Sequence, residues 1–320
     1  MANATVADGN TGAIVQLGKH DNEKTDSLLR LRIRRFFRHR MAVFGVFLLT
    51  LVILYVTVGS LLMTEAEANK TKLTNKFGAP TAENLFGTDG LGRDIMGRTI
   101  YGGQISLMIG VTSVIISITI GTTVGLISGY FGGLIDMILM RLVEALLCIP
   151  SLVLLIVIQP VLIQNATTTF NVFGRQLSVT VVAIILIIGL LSWLQLARIV
   201  RSLVLSLKEQ EFVTAAHMVG ASDFRIIFTH ILPNCIAPIV VTATLGIGGA
   251  IIGETALGFL GFGVQEPTAT WGNILSVARN HVDDYPWIWM APGVLITMTV
   301  LSINFIGDGL RDAFDPRSIR

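Results

Sequence analysis

The sequence predicts an all-α membrane protein of six transmembrane helices, and three observations carry that prediction. Of 320 residues, 52% are hydrophobic and only 14% are charged, against roughly 25% charged in an average soluble domain. Six apolar segments recur, at 41–63, 105–129, 142–163, 177–197, 235–253 and 285–306. Each is long enough for the ~20 residues of helix that cross about 30 Å of hydrocarbon. The basic residues are also unevenly divided. With six spans, 16 of the 23 lysines and arginines fall on the side of the two termini; only Lys70, Lys72, Lys76, Arg93, Arg98, Arg175 and Arg279 fall opposite. By the positive-inside rule both termini are cytoplasmic, in a multi-pass protein of a plasma (inner) membrane.

Residues 1–26 are polar, of mixed charge and without helical period, which predicts disorder. Residues 28–40 (LLRLRIRRFFRHR) form a basic amphipathic stretch, read as a surface helix held by anionic membrane lipid. With a tail of 40 residues before it and its own length, the first span is expected to be an uncleaved span and not a signal peptide. The chain divides into a tail at 1–40, a first span and outer loop at 41–104, a five-span core at 105–307 and a cytoplasmic tail at 308–320. The core contains a long inner loop at 198–234, and the other long connections, 64–104 and 254–284, lie outside.

The composition also excludes functions. A net charge of +2 gives no basis for binding nucleic acid. Neither a G-x-x-x-x-G-K-[ST] phosphate loop nor an H-E-x-x-H zinc motif nor a G-x-S-x-G elbow occurs, and no nucleophile stands beside a base, so no catalytic and no metal-binding residue is expected. Cys148 and Cys235 lie in or beside apolar runs and read as reduced cysteines. Charges inside the spans are few: Glu144 sits three residues after Arg141 at a membrane edge, and Glu254 ends the fifth span. An ion-coupled carrier needs buried carboxylates for its relay and shows inverted repeats; neither pattern is evident, so the energy is expected to come from a partner.

The inner loop carries the most information. In residues 209–233 (EQEFVTAAHMVGASDFRIIFTHILP), Phe212, Ala215, Ala216 and Val219 recur at i, i+3, i+4 and i+7, one face of a short helix. Gly220 is placed to end it in the left-handed conformation. Ser222 or Asp223 can cap a second helix with an apolar face of Phe224, Ile227 and Ile231, and Pro233 is expected to end the pattern. Two short helices thus meet at a small-residue elbow, Gly220-Ala221-Ser222. That elbow fits a docking point for another protein and fits a corner packed on its own spans.

Thr214-Ala215-Ala216-His217-Met218-Val219-Gly220 with Ile231-Leu232-Pro233 resembles the "EAA" loop of bacterial ABC import permeases, although Thr214 stands at the family's glutamate position and the isoleucine comes one residue late. Residues 85–94 (LFGTDGLGRD) resemble the "LGTDxxGRD" block of the C-type second permease of dipeptide and oligopeptide importers. Residues 307–317 (GDGLRDAFDPR) are similar to that subfamily's C-terminal signature, and 259–263 (FLGFG) to its outer-loop "FLGxG".

The resemblance implies a type I ABC importer permease fold that forms half of a translocation pathway. Its implied partners are a homologous second permease, two ABC ATPase subunits and an extracytoplasmic substrate-binding protein. It implies no cofactor on this chain, ATP and Mg being held by the ATPases. Glu211, Thr214, Ala215, Ala216, Gly220, Ala221, Ser222 and Asp223 are the implied ATPase-coupling residues. The outer-loop motif supplies Gly87, Thr88, Asp89, Gly92, Arg93 and Asp94. In it Asp89 and Arg93 stand at i,i+4 and Thr88 can cap a helix entering the second span, which fits a structural lid or a contact with the binding protein. The C-terminal motif supplies Asp308, Arg311, Asp312 and Asp315, expected as a small charge network that anchors the cytoplasmic end. Pro150, Pro160, Pro238 and Pro292 are expected to end or bend spans, and Gly246, Gly248, Gly249 and Gly253 to permit close helix approach.

Overall fold

The protein is described by a computed structural model covering residues 28–150, 153–154, 156–158, 169–172 and 175–314. The expected disorder of 1–26, part of the third expected span (151–152, 155 and 159–163, Pro160 among them), and Asp315, Arg317 and Arg320 lie outside the described residues.

An amphipathic helix α1 (Leu28–Arg38) leads into α2 (Arg40–Leu62), the first span. His39 separates the two and caps the second, its Nδ1 accepting from Ala42 N–H at 3.0 Å. After a short α3 (Glu65–Ala68) and an irregular stretch comes α4 (Ile95–Phe131), 37 residues long. At 1.5 Å per residue it measures about 55 Å and outruns the hydrocarbon. Gly132, at φ +64°, turns the chain into α5 (Gly133–Leu147), which contains the start of the third expected span. A small antiparallel hairpin, β1 (Thr169–Val172) and β2 (Arg175–Ser178), pairs Thr169 with Ser178 and Val172 with Arg175. It is a departure from the all-helical expectation, and Thr, Phe and Val favour such extended backbone. Next come α6 (Val179–Leu207), α7 (Glu211–Met218) and α8 (Asp223–Arg225). A π-helical turn (Ile226–Ile231) passes into α9 (Leu232–Phe259), and α10 (Trp271–Ala278) and α11 (Trp287–Phe314) complete the order. Five helices among the described residues are long and apolar enough to cross a membrane.

The best-packed seam runs between α4 and α6. A Cβ added to Gly125 would stand 2.6 Å from Val200 Cβ and 2.7 Å from Ala197 O; one on Gly129 would stand 2.7 Å from Val204 Cβ. Glycines one turn apart let the two backbones touch, the usual way membrane helices gain packing. The expectation for the fifth span is corrected: around Gly249 and Gly253 nothing lies within 4 Å, and Gly246 and Gly248 have neighbours no nearer than 3.4 and 3.6 Å. Gly246 and Gly248 thus make only ordinary contact, with Val114 of α4 and Ile303 of α11, and the tight glycine seam is that of α4 with α6. Pro238 and Pro292 lie inside α9 and α11. Cys148 is exposed, Cys235 is buried, and both are free.

The chain crosses back and forth between two ends of the bundle. One end collects α7, α8 and the C-terminus of α11 (the elbow end), and the other collects residues 64–94 and 260–286 (the lid end).

Candidate functional site

At the elbow end, α7 ends as the sequence predicts. Gly220 takes φ +75°, Ala221 N–H reaches Ala216 O at 3.0 Å and Gly220 N–H reaches His217 O at 3.0 Å, the paired bonds of a Schellman cap. Ser222 then caps α8, its Oγ accepting from Arg225 N–H at 3.4 Å. The predicted apolar face is corrected. Of Phe212, Ala215, Ala216 and Val219 only Ala216 is buried, and the inward pair is Val213 and Ala216. These two pack with Ile226, Ile227 and Ile231 and with Val200 and Val204 of α6. The turn after Gly220 folds the π-segment back onto α7, and that contact, rather than the helical period, selects the buried face. Met218 is 82% exposed, Val219 84% and Phe224 71%. The elbow thus presents an apolar tip, flanked by exposed Glu211, Thr214, Ala215, Ser222 and Asp223 and half-buried Ala221.

One polar contact holds this tip, and another ties together the helices behind it. The Tyr130 hydroxyl, from the end of α4, donates to Asp223 Oδ1 at 2.7 Å, and its ring stacks toward His217 with centroids 6.5 Å apart. Arg201 of α6 donates from Nε and a terminal nitrogen to both oxygens of Asp136 on α5, each at 2.5 Å, and Ser128 of α4 donates to the same carboxylate. Pro233 does not end the pattern. Leu232 N–H reaches back five residues to Ile227 O, and Asn234 Nδ2 donates to His230 O at 2.6 Å, so the helix passes the proline without a break. From Asp223 to Phe259 it is one helix of 37 residues.

At the lid end, Asp89 and Arg93 pair as their spacing suggests, Arg93 Nε donating to Oδ2 at 2.7 Å. They sit in an irregular stretch that contains Gly87 and Gly92, both at positive φ, and not on a helix. Asp89 Oδ1 also accepts from Leu91 N–H and Arg93 N–H, both at 2.9 Å. The fork of Arg93 then closes on Glu266 of the third connection, at 2.8 and 2.7 Å, and Arg98 of α4 adds a contact of 3.3 Å to the same carboxylate. Arg93 thereby holds the Glu266 carboxyl below its usual range, with Arg98 adding to the effect. A bidentate guanidinium thus latches the first connection to the third. The capping expectation for Thr88 is corrected. Its hydroxyl donates to Asn75 O at 2.5 Å and accepts from Gly78 N–H at 2.8 Å, whereas Asp94 caps α4, accepting from Gly97 N–H at 2.7 Å.

Of the expected C-terminal network Asp315 lies outside the described residues, and the other three members are not drawn together. Among the described residues, Asp308, Arg311 and Asp312 make no ion pair with one another. Asp312 instead faces His39 Nε2 at 3.4 Å. Water solvates these exposed charges well enough that adjacent spacing does not draw them together.

Residues 121–320 match the family described as the binding-protein-dependent transport system inner membrane component. Residues 27–80 match the N-terminal TM domain of oligopeptide transport permease C. The chain is 41% identical over 291 residues to a dipeptide transport system permease protein of Alkalihalophilus pseudofirmus, covering 90% of each. It is 40% identical over 286 residues to an oligopeptide transport system permease protein of Haemophilus influenzae, covering 89% of this chain and 87% of that one. Among solved structures, an inward-facing MetNI methionine ABC transporter chain aligns with TM-score 0.53 and 20% identity, over 69% of this chain and 98% of the other. That likeness is one of fold, the fold of a type I importer's membrane subunit. By family match and relatives alike, the chain belongs to the binding-protein-dependent transport system inner membrane components.

Proposed function

We propose that this chain is a membrane-spanning permease subunit of an ATP-driven importer of dipeptides or oligopeptides, coupled to its ATPase through the Gly220 elbow. Its relatives are permease proteins of dipeptide and oligopeptide systems. The observation that carries the coupling is the tip itself: Met218, Val219 and Phe224 stand exposed around a left-handed glycine at one end of a 37-residue helix. Exposed apolar groups clustered on a rigid corner mark a protein contact.

The subunit pairs with a homologous permease to enclose the pathway. Two ATPase subunits holding ATP and Mg dock at the elbow end, and a substrate-binding protein docks at the lid end. The elbow end and both termini are cytoplasmic, in keeping with the basic residues gathered there. Arg32, Arg34 and Arg38 stand exposed on α1, where anionic lipid headgroups attract them. ATPase closure pushes the elbow, and the continuous helix turns that push into a rigid-body movement of the spans.

The test is proximity. A cysteine replacing Ala221 is expected to crosslink to the ATPase subunit in the assembled importer. If it finds no partner there, the coupling role is lost, and an ion-coupled carrier becomes the better reading.

A further inference from the structure

The helix that begins at the elbow ends beneath the lid, and near its far end stands Glu254, whose side chain is completely buried. An ionisable group buried without a counter-charge is a costly placement. No ion pair neutralises it among the described residues, and its Oε1 has no hydrogen-bond partner there. Its other oxygen is engaged. Ser106 Oγ of α4, itself buried, donates to Glu254 Oε2 at 3.0 Å, and the same Ser106 Oγ accepts Trp271 N–H, the first residue of α10, at 3.2 Å. Thr270, which caps α10, faces the same carboxyl. Glu254 thus holds the N-terminus of α10, where free N–H groups and the positive end of the helix dipole favour an acceptor.

The surrounding contacts leave α10 no freedom to slide. A Cβ on Gly258 of α9 would stand 2.6 Å from the Gly272 carbonyl carbon, and the Trp271 indole donates to Thr99 O of α4 at 2.9 Å. In turn α10 holds the latch. Asn273 Nδ2 donates to Val264 O at 3.2 Å and to Thr268 O at 2.7 Å, bracketing Glu266. The helix that Ser222 caps carries Glu254; hydrogen bonds run from Glu254 through Ser106 to Trp271, and Asn273 of the same α10 holds the loop in which Glu266 meets Arg93.

We propose that Glu254 is a positioning residue: through Ser106 it fixes α10 to the far end of the elbow helix, so that movement of the elbow and release of the lid are one event. This rests on the elbow reading above. A bulky residue would fill the space as well as glutamate does. An acceptor aimed at Ser106 is what transmits the movement.

The experiment uses the complete importer in nanodiscs, with its ATPases and binding protein. ATP hydrolysis is measured with and without loaded binding protein for wild type, Glu254→Gln, Glu254→Ala, Ser106→Ala and the double alanine variant. Glu254→Gln keeps an acceptor oxygen and is expected to keep the wild-type stimulation ratio. Each alanine variant is expected to lower that ratio at least tenfold, to leave unstimulated hydrolysis within twofold and to co-purify with the ATPases. The double variant is expected to be no worse than either single one, since both cut one relay. The proposal is overturned if the alanine variants keep the wild-type ratio, or if Glu254→Gln loses as much as Glu254→Ala. Should Glu254→Ala fail to assemble, Ser106→Ala decides by the same criterion. Gly220→Val run in parallel separates the two ideas. If it uncouples while the Glu254 and Ser106 variants do not, the relay fails and the elbow stands. If it also stays coupled, the elbow reading itself fails.

Discussion

Replacing Asp89 with alanine should open the lid far more than replacing Glu266, although both carboxylates bind the same two arginines. Asp89 is 3% exposed and accepts Leu91 N–H, Arg93 N–H and Arg93 Nε at 2.9, 2.9 and 2.7 Å. Its removal takes the buried partner from Arg93 and Arg98, 6% and 1% exposed, and leaves both to the half-exposed Glu266 carboxylate. Breaking a buried pair from one side costs about 3–5 kcal/mol. Glu266 is 43% exposed, so its removal opens the guanidiniums to solvent, and the loss falls toward the figure for exposed pairs, about 1 kcal/mol. Protease cleavage within residues 64–94 reads the open population when opening is fast relative to cutting. In the assembled complex, Asp89→Ala should speed that cleavage by about 10²-fold to a few thousandfold, and Glu266→Ala by about fivefold, at 1.4 kcal/mol per factor of ten. Asp89→Asn keeps an acceptor for the backbone but turns a donor toward Arg93, and should fall near alanine. Equal acceleration by Asp89→Ala and Glu266→Ala would refute the claim that burial decides the cost.

Acid should weaken the same latch. Because Arg93 depresses the folded-state value of Glu266, its contribution is complete above the unfolded value of about 4.3 and is lost as pH falls through the lower folded value. Hydrogen exchange within residues 64–94, corrected for the intrinsic pH dependence of exchange, should show protection flat from neutrality to about pH 5 and then falling; Glu266→Gln should lack that step. At the α4–α6 seam, Gly125→Ala should cost about 1–3 kcal/mol by overpacking, while Gly249→Ala, with nothing within 4 Å, should leave this chain's thermal stability unchanged. Alkaline phosphatase fused at Lys72 or Asn280 should be active and at Ser222 inactive; activity at Ser222 would overturn the proposed orientation.

Legibility in the sequence followed the range of the interaction. The cap at Gly220 and the bond from Ser222 were readable because each depends on the conformation of a few neighbouring residues. The Asp89–Arg93 pair was readable from its spacing, but its partner Glu266 lies 173 residues from Arg93, and nothing local joins them. The same holds for Asp136 with Arg201, two isolated charges at the edges of different apolar runs. The period of α7 gave a face but not its direction, since eight residues leave the choice to whatever packs on them, here the π-segment. Pro233 read as a stop because the five-residue bond of Leu232 leaves no trace in composition. Glu254 read as a charge at a span's end; only the fold brings Ser106 and Trp271 to it.

Gly220→Val tests the coupling account most directly. Nothing lies within 4 Å of the added Cβ, so the damage is confined to a φ of +75°, which costs a β-branched residue about 1–3 kcal/mol. Spans and lid are untouched by that strain, and the subunit should insert and pair with its sister permease. The account predicts that peptide uptake into proteoliposomes is lost, with ATP hydrolysis either freed from its dependence on loaded binding protein or lost with the ATPases. Normal uptake by Gly220→Val, with hydrolysis still governed by substrate, would contradict it.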